Sequence, residues 1–75
     1  MIPDRLGHIQ RAVLVGLGDR SVTVERLAND LLMDEGRVRG ALMRLWMRGF
    51  VERGGWPLEW WVTVAGEKLK VWEEE

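Results

Sequence analysis

Between Asp34 and Arg53 the chain carries five arginines, Arg37, Arg39, Arg44, Arg48 and Arg53, against three carboxylates, Asp34, Glu35 and Glu52. A guanidinium donates two parallel hydrogen bonds to guanine O6 and N7, or clamps a phosphate. Gly36 and Gly40 interrupt the same stretch. Inside a helix each costs about 1 kcal/mol relative to alanine. Two of them so close together imply that something approaches the backbone where a side chain would obstruct it. A nucleic-acid groove fits, and so does a second helix, because Gly36-x-x-x-Gly40 is also a spacing of close helix pairs. Glu35 works in the other direction: a carboxylate repels phosphates unless it accepts from cytosine N4. The bland alternative is a solvated basic face on a surface helix.

No other chemistry competes. A Gly-rich phosphate loop, a nucleophile–base pair and metal-ligand spacing are all missing from the sequence. There is no cysteine, which excludes disulfides and thiol-bound metals, and the single histidine, His8, makes no zinc site alone. His8 reads as a surface histidine. Neither an enzyme nor a cofactor is expected.

The elements that must position the arginines follow from periodicity and punctuation. A first helix is expected over about 4–17, started by Pro3 and Asp4 and stopped by Gly18. Leu6, Ile9, Val13 and Leu17 share one face, with Leu14 and Val15 outside that stripe. Ser21-Val22-Thr23 suits a short strand. Thr23 is placed to cap a second helix that buries Val24, Leu27, Ala28 and Leu31, with Glu25 in its first turn. Asp34 caps a third helix reaching about Arg48, with Val38, Ala41, Leu42 and Leu45 on its core side. Opposite that face lie Gly36, Gly40, Met43 and Met47. Gly49 supplies the left-handed residue that ends the helix. Two strands, 50–53 and 59–62, are joined by Gly54-Gly55-Trp56-Pro57, where the glycines allow a hairpin. Trp60 and Val62 share one strand face, Trp60 in the core, and Trp61 lies half exposed on the other. Thr63 caps a last helix whose inward stripe is Ala65, Leu69 and Trp72. The fold class is therefore α+β, mostly α: a three-helix bundle with a two-stranded wing and a C-terminal helix, in one domain over 1–75.

The 75 residues sit near the lower limit for a self-sufficient core. Five tryptophans compensate, since each can bury roughly 150–250 Å². With 47% hydrophobic and 31% charged residues the composition is that of a globular domain. The net charge of −1 is not that of a typical nucleic-acid binder, but the acidity is concentrated in the four glutamates after residue 66. No apolar run approaches the ~20 residues that span a bilayer, and Asp4 and Arg5 break any signal-peptide pattern. The expected compartment is the cytoplasm, with no membrane partner. Many charges and only two side-chain amides, Gln10 and Asn29, point to a thermophilic source.

At this point the sequence resembles the winged-helix transcriptional regulators of bacteria and archaea, of the broad MarR/ArsR/PadR-like kind. "VERLANDLLMDEGRVRGALMRLWMRGFVER" looks like their second helix, turn, recognition helix and first wing strand. "WWVTVAGEKL" looks like the second wing strand with its Leu-Thr-x-x-Gly signature, here Val62-Thr63-Val64-Ala65-Gly66. Two departures stand out: Leu32 occupies a turn position where the family often has Gly, and Asp34 and Glu35 open the reading helix.

The resemblance implies double-stranded DNA as partner, read in the major groove by Glu35, Gly36, Arg37, Arg39, Gly40 and Arg44. Arg48 and Arg53 are then expected on the phosphate backbone. Trp56, near the wing tip, stacks, inserts or folds back on the ribbon, with folding back the blander expectation. A homodimer through helix 1 (Leu14, Val15) and/or the C-terminal helix (Val71, Trp72) would double the contacts. The alternative is a protein-interaction module using Met43, Trp46 and Met47, expected to be exposed, because methionine suits adaptable interfaces. For Trp46 itself, packing under the wing or on the terminal helix is the competing expectation.

Overall fold

The computed structural model describes residues 6–74, with side chains through residue 70. Four helices, α1 (His8–Leu17), α2 (Val24–Leu31), α3 (Glu35–Met47) and α4 (Val64–Glu74), surround a hairpin of β1 (Val51–Gly54) and β2 (Glu59–Val62). The order is that of a winged helix. The caps act as the sequence requires. Thr23 Oγ1 accepts from the Arg26 amide at 3.2 Å, and an Asp34 carboxylate oxygen accepts from the Arg37 amide at 3.2 Å. Gly49 ends α3 at φ 83°. Val22 makes an isolated bridge to Trp60, so the short strand exists as one antiparallel pair.

α1 begins later than expected, at His8, with Gly7 as its cap and no side-chain hydrogen bond there. Pro3 and Asp4 lie outside the described residues. This helix packs against α2, α3, α4 and β2, so it is covered on several sides and its buried stripe is broad. Leu14 is therefore core, 1% exposed, and only Val15 remains as exposed apolar surface on α1. Val38, Ala41, Leu42 and Leu45 face α1 and α2 from α3, and Val51, Trp60 and Leu69 close the core from the wing and α4.

The hairpin pairs Val51 with Val62, Glu52 with Trp61, Arg53 with Trp60 and Gly54 with Glu59. Its first strand starts one residue after Phe50, because the Phe50 amide donates to the Leu45 carbonyl of α3 at 2.9 Å, while the Phe50 carbonyl accepts from the Thr63 amide at 3.1 Å. Thr63 Oγ1 donates to the Gly49 carbonyl at 2.7 Å and accepts from the Gly66 amide at 3.1 Å. Thr63 thus caps α4 and ties it to the α3–β1 joint. The inward position of α4 is Gly66 and not the expected Ala65, which is exposed. The backbone of Phe50 lies too close for any residue larger than glycine. Trp72 lies outside the described side chains.

The turn between α2 and α3 is closed by a left-handed leucine, Leu32, at φ 56° and ψ 44°. The Leu32 amide donates to Asn29 O at 3.2 Å and the Met33 amide to Ala28 O at 3.0 Å. This is the hydrogen-bonding of a glycine-terminated helix carried by a branched side chain. Leu32 is 90% exposed, so packing repays none of its strain. The left-handed conformation costs a non-glycine residue about 1–2 kcal/mol. Glycine would remove that cost but return about 0.5–1 kcal/mol through unfolded-state entropy. Leu32→Gly is therefore expected to stabilise the domain by roughly 0.5–1 kcal/mol, raising Tm by a few degrees. Thermal unfolding checks it, and a lower Tm would show that the turn is not strained.

Candidate nucleic-acid interface

Capping by Asp34 sets the phase of α3. With Val38, Ala41, Leu42 and Leu45 turned inward, Arg37, Arg39 and Arg44 are left exposed. Arg37 and Arg44 make no ion pair among the described residues. Arg39 Nη2 stands 3.9 Å from Glu35 Oε1 one turn earlier, with both side chains about half exposed. Glu35 thus restrains one guanidinium of the set and leaves the other two.

Gly36 and Gly40 open onto a groove between α3 and the start of α1. The groove has a volume of about 510 Å³, and Arg37, Arg44, His8 and Gln10 also line it. His8 therefore stands beside the arginines, a placement that depends on how the two helices cross and that periodicity alone does not give. A Cβ on Gly40 would meet only Arg44 Nη1, at 3.9 Å, and a Cβ on Gly36 only Asp34 Oδ2, at 2.9 Å. No helix packs on either glycine among the described residues. At Gly36 a methyl would press on the carboxylate oxygen that caps α3, whereas at Gly40 no described residue crowds the backbone.

The wing departs from expectation. Arg53 does not reach out from it: its guanidinium lies 4.4 Å from the Trp46 ring centroid and 5.4 Å from that of Trp60, and Nη1 donates to Met43 Sδ at 3.6 Å. A cation over an indole face is attracted by the ring quadrupole, and Arg53 pairs with Trp60 across the ladder, which brings it over α3. Trp46 Nε1 donates to Glu52 Oε1 at 2.9 Å. The Arg53 amide and the Trp46 indole N–H together hold the Glu52 carboxyl below its usual range. Trp46 packs under the wing as one of the two expectations had it, and Met43 is half-buried there rather than exposed. Of the three residues proposed as a protein-binding face only Met47 is open, at 77%. Arg48 lies over the Phe50 ring, 5.0 Å from its centroid.

Trp56 does not fold back on the ribbon. It is 96% exposed, because it follows the last cross-strand pair, Gly54 with Glu59, and has no neighbour opposite. A recess of about 300 Å³ joins it to Arg39 of α3 and Thr23 of α2. A second cluster escaped the sequence reading. Arg20 and Arg26 both contact Asp30, at 2.8 and 3.3 Å, and the Arg20 hydrogen bond leads in lowering the Asp30 pKa. The Arg26–Asp30 spacing was visible in the sequence; the approach of Arg20 from the α1–α2 turn was not.

Among solved structures the chain is similar to a MarR family transcription regulator, with TM-score 0.82 and 26% identity over 88% of this chain and 48% of that one. It is equally similar to BpsR of Bordetella bronchiseptica, whose DNA binding is regulated by 6-hydroxynicotinic acid: TM-score 0.83 and 26% identity over 92% and 53% of the two chains. The fold is a winged helix-turn-helix like that of these two regulators. The domain spans about half the length of the structures it matches. No family model matches it, and no curated protein matches it by sequence. In this winged helix α2, the Leu32 turn and α3 form the helix-turn-helix, and β1–β2 is the wing. Among the described residues no group of three potential ligands is placed to hold a metal, and no helix is long and apolar enough to cross a membrane.

Proposed function

We propose that this winged helix binds double-stranded DNA as a transcription regulator, acting in the cytoplasm, with α3 in the major groove and the hairpin as wing. The observation that carries the reading is the exposed face of α3, where Arg37, Arg39 and Arg44 stand beside Gly36 and Gly40, with open space at Gly40 among the described residues. Arg37 and Arg44 read base edges or flanking phosphates. Arg39 joins them once DNA competes with Glu35, and Arg48 lies nearest the strand backbone at the end of the helix. Gly36 and Gly40 let the helix backbone approach. Arg53, stacked on Trp46, holds the wing against α3 and so sets the wing angle. Two copies on a two-fold site would double the contacts of a small patch. The protein-interaction alternative has less support, since Met43 and Trp46 are engaged inside the domain.

Salt titration of binding to a mixed-sequence duplex tests the reading. Each neutralised phosphate contributes about −0.9 to the slope of log K against log salt. Three arginines on phosphate predict a slope near −3 per domain, and base-reading by any of them lowers that figure. No duplex binding at about 50 mM salt, where electrostatic association is strong, would overturn it.

A further inference from the structure

We infer that the wing tip acts as an apolar wedge that inserts Trp56 into the minor groove of the bound duplex and bends it. The inference rests on the DNA reading above and adds the mode of contact. The loop between the strands, Gly55-Trp56-Pro57-Leu58, contains no charged residue, and its three side chains are exposed. The one cation of the strands, Arg53, is turned inward onto Trp46, Trp60 and Met43, so no guanidinium stands at the wing tip. The wing's two carboxylates are held back from the tip on the strands, Glu52 accepting from Trp46 Nε1 and Glu59 from Ser21 Oγ at 2.9 Å, and both keep their negative charge. What the tip offers is one indole flanked by proline and leucine. Minor-groove wedges are apolar side chains of this sort, pressed between base steps to unstack them.

Position and stiffness select DNA as the occupant. Trp56, Pro57 and Leu58 line the same recess as Arg39 of α3, with Glu25 of α2 also on its wall, so a duplex lying along α3 meets the tip on its flank. The hairpin is anchored at three points: Trp60 bridges to Val22, Trp46 bonds Glu52, and Arg53 stacks on Trp46. A wedge works only if its support does not yield, and these anchors hold the strands to the segment before α2 and to α3.

The test uses the whole domain and an end-labelled mixed-sequence duplex, with affinity from anisotropy and bending from end-to-end energy transfer. Wild-type protein is expected to bend the duplex. Trp56→Ala is expected to bind about 10- to 100-fold more weakly, as loss of one base–aromatic stack implies, and to leave the duplex straight. Trp56→Phe keeps an aromatic wedge and should restore most of the bend. Because Trp56 touches no core residue, circular dichroism should show all three proteins equally folded. A wild-type complex with straight DNA overturns the wedge whatever Trp56→Ala does to affinity, and leaves the DNA reading standing. Bending that Trp56→Ala retains overturns it too. Failure of wild-type protein to bind any duplex removes the DNA reading and the wedge together.

Discussion

The triple variant Arg37→Ala, Arg39→Ala, Arg44→Ala is expected to bind duplex DNA about 10²- to 10⁴-fold more weakly than wild type. A bidentate arginine–guanine contact supplies about 1–3 kcal/mol of discrimination. Three residues on adjacent turns of one helix do not add independently, so the sum is taken as roughly 3–6 kcal/mol, which corresponds to that range of affinity. The three are not equivalent. Arg39 gives up its Glu35 contact on binding, so it should contribute least alone. That exposed pair is itself worth little, about 0–1 kcal/mol. Single variants then sort the roles. Loss of a base-reading arginine relaxes preference at one base position, whereas loss of a phosphate contact weakens all sequences alike and flattens the salt slope by about one unit. Anisotropy titrations against a panel of duplexes measure both. All three side chains are exposed and none lies in the core, so the folded state should survive the substitutions. Unchanged affinity in the triple variant would show that α3 is not the reader.

Gly66→Ala should do the most damage to folding. A methyl there would overlap the Phe50 carbonyl oxygen, press on Val62 Cγ1 at 2.7 Å and crowd the Phe50 carbonyl carbon at 3.1 Å. None of these neighbours can step aside cheaply. The Phe50 carbonyl accepts from the Thr63 amide, and the adjoining Gly49 carbonyl accepts from Thr63 Oγ1. Moving that strip of backbone would pull apart the joint that holds α4 to the α3–β1 corner. Overpacking against side chains costs about 1–3 kcal/mol, occasionally more. Against fixed backbone the loss should reach about 3 kcal/mol or above. A domain of this size has roughly 4–11 kcal/mol of stability in all, so Tm should fall by more than about 10 °C, or the chain should fail to fold. Gly40→Ala is the matched control. Its Cβ meets only the flexible end of Arg44, so it should stabilise the helix by up to about 1 kcal/mol, while any loss of duplex affinity reports on backbone approach at α3. A Gly66→Ala protein with wild-type Tm would mean that α4 can shift away from Phe50.

Much of this winged helix is decided within short stretches of chain, where local rules suffice. Thr23 and Asp34 accept hydrogen bonds from amides three residues ahead, Gly49 supplies a positive φ, and the 3.6-residue recurrence of Val38, Ala41, Leu42 and Leu45 orients α3. The exposure of Arg37, Arg39 and Arg44 is a consequence of that phase and was legible before any tertiary contact was known. Even the Val22 pairing followed, since a β-branched residue beside a serine and a threonine suits a strand. The remaining decisions belong to neighbours distant in sequence. A hydrophobic stripe says which way a helix faces, not how many elements cover it, so Leu14 became core only because α1 lies among four others. Ala65 looked like the inward residue of α4 by spacing alone, but the approach of the Phe50 carbonyl left room only for Gly66. Arg53 had the local character of a phosphate contact. Strand register set it above Trp46, where it meets the indole face and the Met43 sulfur. Trp56 had the local character of a side chain that folds back, but the register places it at the centre of the turn, where no strand residue lies opposite. Covalent geometry and backbone hydrogen bonding act over a few residues, so sequence alone settles the elements and their phase. Packing and charge depend on what the fold brings across, which is why the wing's part in the site emerged only from the tertiary structure.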